Sequence, residues 1–174
     1  MSFRIIRLND FDGFSIIELL VVIAISVTLM TISTISFNNW QVKLRVEAQV
    51  RQMVADFNEI RVRALTMKQR HSITLNANSY VFRSYDSEEE DLFTGGTIIP
   101  GGTHTVAYKL KKNATTDYAA EVYEIDQRGA NVSSVATIYL EYPGTTTGLN
   151  CIKLHTVRIN PGNSATIGGT CDDK

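Results

Sequence analysis

The chain has 174 residues, and its 17 Lys and Arg against 18 Asp and Glu give a formal net charge of −1. This balance excludes a generally basic nucleic-acid-binding protein and a strongly acidic tail protein. With 44% hydrophobic and 20% charged residues, the composition also excludes an intrinsically disordered chain. The mean hydropathy of −0.04 is typical of a soluble globular protein, but the apolar residues are concentrated near the N-terminus.

An uncharged apolar segment lies near the N-terminus. Residues 19–42 contain no Asp, Glu, Lys or Arg and are rich in Leu, Val and Ile. As a helix they would extend about 36 Å, enough to cross a bilayer core of about 30 Å. The run is longer than that of a cleaved secretory signal peptide, and no A-x-A-like site follows it. The segment therefore predicts a single membrane-spanning helix, whose hydroxyl residues suit either a lipid anchor or packing among other helices.

A short motif, GFSIIELL at residues 13–20, leads into this segment. Its Glu18 places an ionisable group at the edge of the predicted membrane helix. Such a group is costly inside a bilayer and by default marks a functional partner. The alternative is that Glu18 lies in the lipid headgroup region and has no partner.

This motif, followed by an apolar helix, resembles the class III signal of type IV prepilins and type II secretion pseudopilins. The resemblance implies that a membrane prepilin peptidase cleaves after Gly13 and N-methylates the new terminal Phe14. It also implies assembly into a filament, where Glu18 pairs with the N-terminal amine of a neighbouring subunit. Residues 1–13 would then be a leader, and residues 14–40 the helix of the membrane and later of the filament core.

The helix is predicted to continue as an amphipathic periplasmic segment over residues 41–70. Apolar residues at three- and four-residue steps form one stripe, which we expect to cover a sheet: Val46, Val50, Met53, Val54, Phe57, Ile60 and Ala64. The segment also carries seven basic residues against three acidic ones. That face could bind anionic lipid or nucleic acid, but a solvated surface, or one paired with acidic neighbours in a filament, is the preferred interpretation.

From residue 71 the apolar period changes toward two, which indicates β-strands. The predicted strands are 72–75, 80–85, 105–110, 119–125, 137–142, 152–159 and 165–167. Turns are predicted between them at 76–78, 95–96, 100–102, 128–129, 143–144 and 160–163. Successive strands without helices favour an antiparallel sheet. The expected fold class is α+β, with the long helix packed on a β-rich domain at 71–174, the lollipop arrangement of pilins.

Within the pilin-like proteins, the layout resembles the H-type pseudopilin and FimT/FimU-type minor pilin branch. The similarity rests on residues 125–129, which resemble a turn before a hairpin, and on 157–162, which resemble the terminal strand and its glycine turn. The helix has no proline, whereas many major pilins kink there, so a minor subunit is favoured. The resemblance implies a non-catalytic subunit at or near the tip of a type IV pilus. The first alternative is the H-type pseudopilin of a type II secretion system.

The resemblance also implies partners and a location. The partners are the prepilin peptidase, other minor and major pilins or pseudopilins, and inner-membrane lipid. The protein would span the inner membrane once with a periplasmic C-terminal domain, and after assembly it would lie in the pilus, an extracellular filament. A second alternative, a FimT-like DNA-binding competence pilin, is disfavoured because residues 160–174 carry Lys174 as their single basic residue.

Cys151 and Cys171 are the only cysteines of the chain. The resemblance places them in the periplasm or outside the cell, where disulfides form. A bond between them would close a C-terminal loop, as in type IV pilins and some minor pilins. Two free thiols are the alternative.

Catalytic and cofactor chemistry finds little support in the sequence. His71, His104 and His155 lack metal-ligand spacing, no nucleophile-elbow motif is present, and the glycine pairs at 95–96 and 101–102 are interpreted as hairpin turns. The expected protein is therefore not an enzyme and has no cofactor. One acidic run could attract Ca²⁺, although a solvated loop is preferred: Asp86, Glu88, Glu89, Glu90 and Asp91.

Overall fold

A computed structural model describes residues 13–143 and 148–174, without the side chains of residues 32–36. Residues 1–12 of the predicted leader lie outside the described residues, as does Gly144 of the turn predicted at 143–144. The chain divides into two compact units, Met1–Asn38 and Asn39–Lys174.

The first element is a long helix, α1, over Ile16–Met67. No Gly or Pro interrupts the sequence from residue 14 to residue 70, so the backbone ladder can continue without a break. The helix ends where Lys68 takes a φ of +55°, the left-handed conformation that commonly closes a helix. The observed bounds lie within the predicted 14–70.

Within the described residues, nine strands follow α1, all in the second unit. They are β1 Arg70–Asn76, β2 Ser79–Tyr85, β3 Thr97–Thr105, β4 Leu110–Lys111, β5 Glu121–Ile125, β6 Ala136–Leu140, β7 Cys151–Leu154, β8 Ile159–Asn163 and β9 Asp172–Asp173. One sheet has the order β3-β2-β1-β5 and the other β4-β6-β7-β8-β9. Every pair is antiparallel, so the predicted α+β fold with an antiparallel sheet domain is confirmed.

Both sheets share one apolar core with α1. Six positions of the predicted stripe are buried, and Val54 is partly buried against them: Val46, Val50, Met53, Phe57, Ile60 and Ala64. Phe57 contacts the rings of Tyr80 and Phe82 edge-on, with centroids 5.4 and 6.0 Å away. The three- and four-residue steps of the sequence therefore identify the face of α1 that covers the sheets.

The strand predicted at 105–110 is wrong, because β3 ends at Thr105 and β4 begins at Leu110. The segment between them is a connection held by the side chain of Gln49 on α1. Its Oε1 accepts the N–H groups of Ala107 and Tyr108, both at 3.0 Å, and its Nε2 donates to the Tyr108 carbonyl at 2.9 Å. A side chain distant in sequence thus satisfies backbone groups that a strand partner would otherwise satisfy.

The turn predicted at 100–102 is also wrong, since these residues lie inside β3. The pairing of β2 with β3 shifts register between Val81 and Arg83, which marks a bulge. Gly101 has a φ of +75° within this irregular stretch. The Pro-Gly-Gly sequence therefore marks a bulged strand, whereas Gly95 and Gly96 lie in the connection between β2 and β3.

Three corrections concern the C-terminal strands. The strand predicted at 152–159 is a hairpin, with β7 and β8 joined by a turn in which His155 N–H donates to the Arg158 carbonyl at 3.0 Å. The turn predicted at 160–163 lies within β8. Residues 165–167 form no strand, and the last strand is β9.

Candidate functional site

The N-terminal motif begins outside the helix. Gly13, Phe14 and Ser15 precede α1, and the Ser15 carbonyl accepts the Leu19 N–H at 3.1 Å. A Cβ built on Gly13 would meet nothing within 4 Å. Neither steric crowding nor a left-handed φ requires glycine at this position, so its identity is not explained by the local fold.

Glu18 lies in the first turn of α1, and its side chain is exposed. A carboxylate there interacts favourably with the positive end of the helix dipole. This local contribution is small and is available to an acidic residue at any of the first positions. Among the described residues, Glu18 forms no ion pair.

The first unit presents apolar side chains to all sides of α1. Thirteen large examples among its described residues are more than half exposed, among them Phe14 and Ile16 at 81%. Three of its hydroxyls are satisfied within the helix: Ser26, Thr28 and Thr31 donate to carbonyls one turn back, at 2.7, 2.8 and 2.9 Å. A helix that is apolar all round needs an apolar environment, either lipid or other helices. Among the described residues, no helix is both long and apolar enough to cross a membrane.

A disulfide joins Cys151, the first residue of β7, to Cys171, just before β9. Both cysteines are buried beside Tyr139, whose hydroxyl donates to the Gly169 carbonyl. Gly162 lies opposite Cys151, and a Cβ there would approach the Cys171 sulfur to 2.6 Å. The bond therefore packs over a glycine and fastens the C-terminal segment to the second sheet.

The acidic run at 86–91 folds as a capped turn after β2. The Glu90 carboxylate accepts N–H groups from Asp86 at 3.1 Å, Ser87 at 3.3 Å and Gly96 at 3.0 Å. The Asp91 carboxylate accepts the N–H groups of the two residues that follow Leu92, and these bonds lower the pKa of Asp91. Two of the five suggested calcium ligands thus serve as caps for the backbone.

Arg70 holds this turn against the first sheet. Its guanidinium lies 4.7 Å from the centroid of the Tyr85 ring and donates to the carbonyls of Ser87 and Glu90. Over residues 13–143 and 148–174, no three His, Cys, Asp or Glu side chains are grouped to hold a metal. The suggested Ca²⁺ site is therefore not assembled from Asp86, Glu88, Glu89, Glu90 and Asp91.

Several cations of the predicted basic face are engaged within the chain. Arg61 donates to the carbonyls of Gly129 at 2.8 Å and Val157 at 2.5 Å, and Arg63 pairs with Glu59 at 2.8 Å. These contacts reduce the number of guanidinium groups that phosphate could reach, in agreement with a mainly structural use of the segment.

One cation of the C-terminal strands is also paired. Lys153 lies 3.2 Å from Asp173, which also accepts a hydrogen bond from Asn160 at 2.8 Å. The Asn160 bond and the nearby Lys153 lower the pKa of Asp173. The carboxylate thus keeps its charge beside the lysine, which opposes phosphate binding at this edge.

The sequence offered no prediction for a polar cluster between α1 and the first sheet. Asp56 is buried on α1 and accepts hydrogen bonds from Gln52 at 2.7 Å and from the Tyr80 hydroxyl at 2.5 Å. His104 on β3 stacks on Tyr80 with centroids 4.9 Å apart, and its Nδ1 lies 3.6 Å from Asp56. Burial and the Asp56 hydrogen bond raise the pKa of Tyr80, so its hydroxyl remains a donor. The sequence feature that could have indicated this cluster is Asp56 itself, which lies three residues after Met53 at the edge of the apolar stripe.

The other two histidines stand apart from this cluster. His71 is buried on β1, where its Nδ1 lies 2.9 Å from the Gln69 carbonyl, and burial lowers its pKa. His155 is half-buried in the turn between β7 and β8. The three imidazoles therefore form no common site in the described part of the chain.

Comparison with known proteins gives one match, at the N-terminus. Residues 9–34 match the family model of the prokaryotic N-terminal methylation motif. Neither curated proteins nor solved structures give a match to the chain. The matched residues include Gly13, Phe14 and Glu18, so the predicted motif is confirmed. The chain carries a prepilin-type N-terminal methylation motif, and this motif supports a type IV pilin-like protein.

Proposed function

We propose that the protein is a minor, non-catalytic pilin-like subunit of the H-type and FimT/FimU-type branch, assembled at or near the tip of a type IV pilus. A prepilin peptidase cleaves it between Gly13 and Phe14 and methylates Phe14. Residues 14–40 hold it in the inner membrane before assembly, with residues 71–174 in the periplasm. Its function is contact with other subunits, through Glu18 and the apolar helix in the filament core.

The observation that carries this proposal is the methylation motif at residues 9–34. Gly13 supports it further, because the local fold gives no reason for glycine there and recognition by a peptidase would. The disulfide between Cys151 and Cys171 fits an oxidising compartment and favours a pilus over a secretion pseudopilin.

Processing is tested by expressing the full chain with and without a prepilin peptidase and measuring the intact mass of the membrane-extracted product. We expect loss of residues 1–13 and gain of one methyl group on Phe14. Gly13→Leu should abolish both changes, while the neighbouring Ser15→Ala variant should be processed like the natural sequence. An unshortened product in the presence of active peptidase would refute the proposal.

The alternative, an H-type pseudopilin of a type II secretion system, predicts the same processing. The two functions must therefore be distinguished by the phenotype of a deletion. Deletion of the gene, followed by separate measurement of twitching, protein secretion and transformation, distinguishes the two. Loss of twitching supports the pilus. Loss of secretion alone supports the pseudopilin, and loss of transformation alone supports the DNA-binding alternative.

A further inference from the structure

A small cavity lies between α1 and the β2–β3 pair, beside the buried Asp56. It has a volume of about 90 Å³, and its walls include Asp56, Glu59 and Arg63 of α1, Phe82 of β2, and Gly101 and His104 of β3. One water needs roughly 10–15 Å³ of such space, so an ammonium group with one or two methylenes fits. The bulge in β3 contributes directly, since Gly101 has open space where a side chain would be.

The charge of Asp56 is incompletely balanced. Its side chain is 9% exposed, and both of its hydrogen-bond donors, Gln52 and Tyr80, are neutral. In the described part of the chain, His104 at 3.6 Å is the one basic group within 4 Å of this carboxylate. Buried charges are normally paired or bound to a cation, so this carboxylate favours a positive group in the adjoining cavity.

The remaining walls suit an organic cation. The rings of Phe82 and His104 lie 5.5 Å apart, and an aromatic face attracts an ammonium group through its quadrupole. Glu59 adds a second carboxylate, with its side chain 58% exposed, although Arg63 pairs with it at 2.8 Å. The fixed charges of the lining are therefore two carboxylates against one guanidinium.

We propose that this cavity binds an alkylammonium group, supplied either by a lysine side chain of a partner protein or by a free amine. The ammonium group binds the free lone pairs of Asp56, and its methylenes lie along Phe82. Glu59 attracts the cation from the exposed side. The proposal does not depend on the proposed function in filament assembly.

The test is an NMR titration of the full chain in detergent micelles at neutral pH, with the ring signals of His104 as the readout. Added n-butylammonium should shift these signals saturably, whereas the neutral isostere 1-butanol should leave them unchanged. Asp56→Asn should weaken binding at least about tenfold, equivalent to about 1.4 kcal/mol. Glu59→Gln should weaken it about two- to fivefold, and the matched control Glu88→Gln, on the distant acidic turn, should bind like the natural sequence.

If Asp56→Asn does not fold, the Glu59→Gln variant still tests the proposal, because Glu59 is exposed and its substitution should not disturb the fold. Equal binding of 1-butanol, a linear shift without saturation, or unchanged affinity in Glu59→Gln would each overturn the proposal. The source of the ammonium is distinguished with Nα-acetyl-lysine methylamide. Binding as tight as that of n-butylammonium indicates a lysine side chain, and binding of the free amine alone indicates a small-molecule ligand.

Discussion

Gly129 shows how one residue fixes the contact between α1 and the turn after β5. Its φ is +69°, and a Cβ there would lie 2.9 Å from Leu65 Cγ and 3.1 Å from the Arg61 carbonyl. The same turn is held by the Arg61 side chain, which donates to the Gly129 carbonyl at 2.8 Å. Glycine is therefore required twice at this position, for its conformation and for its lack of a side chain.

Gly101 provides a matched control for separating these two requirements. It has a φ of +75°, but a Cβ there would meet nothing within 4 Å. Gly101→Ala should lower the free energy of unfolding by about 1–2 kcal/mol, the cost of the left-handed backbone. Gly129→Ala should cost at least about 1 kcal/mol more, because Leu65 and the helix backbone must move. Urea unfolding of both variants, followed by circular dichroism, measures the difference. Equal decreases in the free energy of unfolding would show that the Leu65 contact does not affect stability.

At the scale of the element, α1 in the second unit has one face in the core and the opposite face exposed. Phe57 is fully buried between the rings of Tyr80 and Phe82, whereas Val62, five residues later, is 56% exposed. Phe57→Ala should therefore lower the free energy of unfolding by about 3–5 kcal/mol through the cavity it leaves. Val62→Ala, on the same helix, should change it by no more than about 0.5 kcal/mol. The urea midpoints of the two variants test this, and similar midpoints would mean that α1 is not held by its buried face.

The helix was predictable because its stability depends on a period that the sequence carries locally. The strands were less predictable, because several of the groups that bind their backbone are distant in sequence. Residues 105–110 have strand-forming composition, but Gln49 binds their backbone instead. Pro100 and the two glycines after it have the composition of a turn, but pairing with β2 holds them in a bulged strand. Asp56 and His104 are 48 positions apart in the chain, so sequence alone could not join them into one cluster.

At the scale of the whole molecule, the two units differ in whether their apolar side chains are buried or exposed. The second unit, Asn39–Lys174, buries a large set of apolar side chains in a core of its own. In the described part of the first unit, the large apolar side chains are exposed, both at Phe14 and along α1. Such a surface is stable only when lipid or other protein covers it, which makes this unit dependent on its surroundings.

Glu18 is the one acidic residue in the described part of that first unit, and the proposed function assigns it a role in the assembled filament. Under the proposed function, neighbouring helices exclude water from this carboxylate, which then needs a positive partner; the proposed partner is the methylated amine of Phe14 on another subunit. Glu18→Leu should therefore reduce the filament-bound fraction at least about tenfold, while the fraction in the membrane stays unchanged, since leucine suits lipid as well. Quantitative immunoblots of sheared filaments and of membranes measure both fractions, with Glu88→Leu as the control on an exposed turn. If Glu18 served only as a helix-terminal or headgroup residue, the leucine variant would enter filaments normally, because neither role couples one subunit to the next.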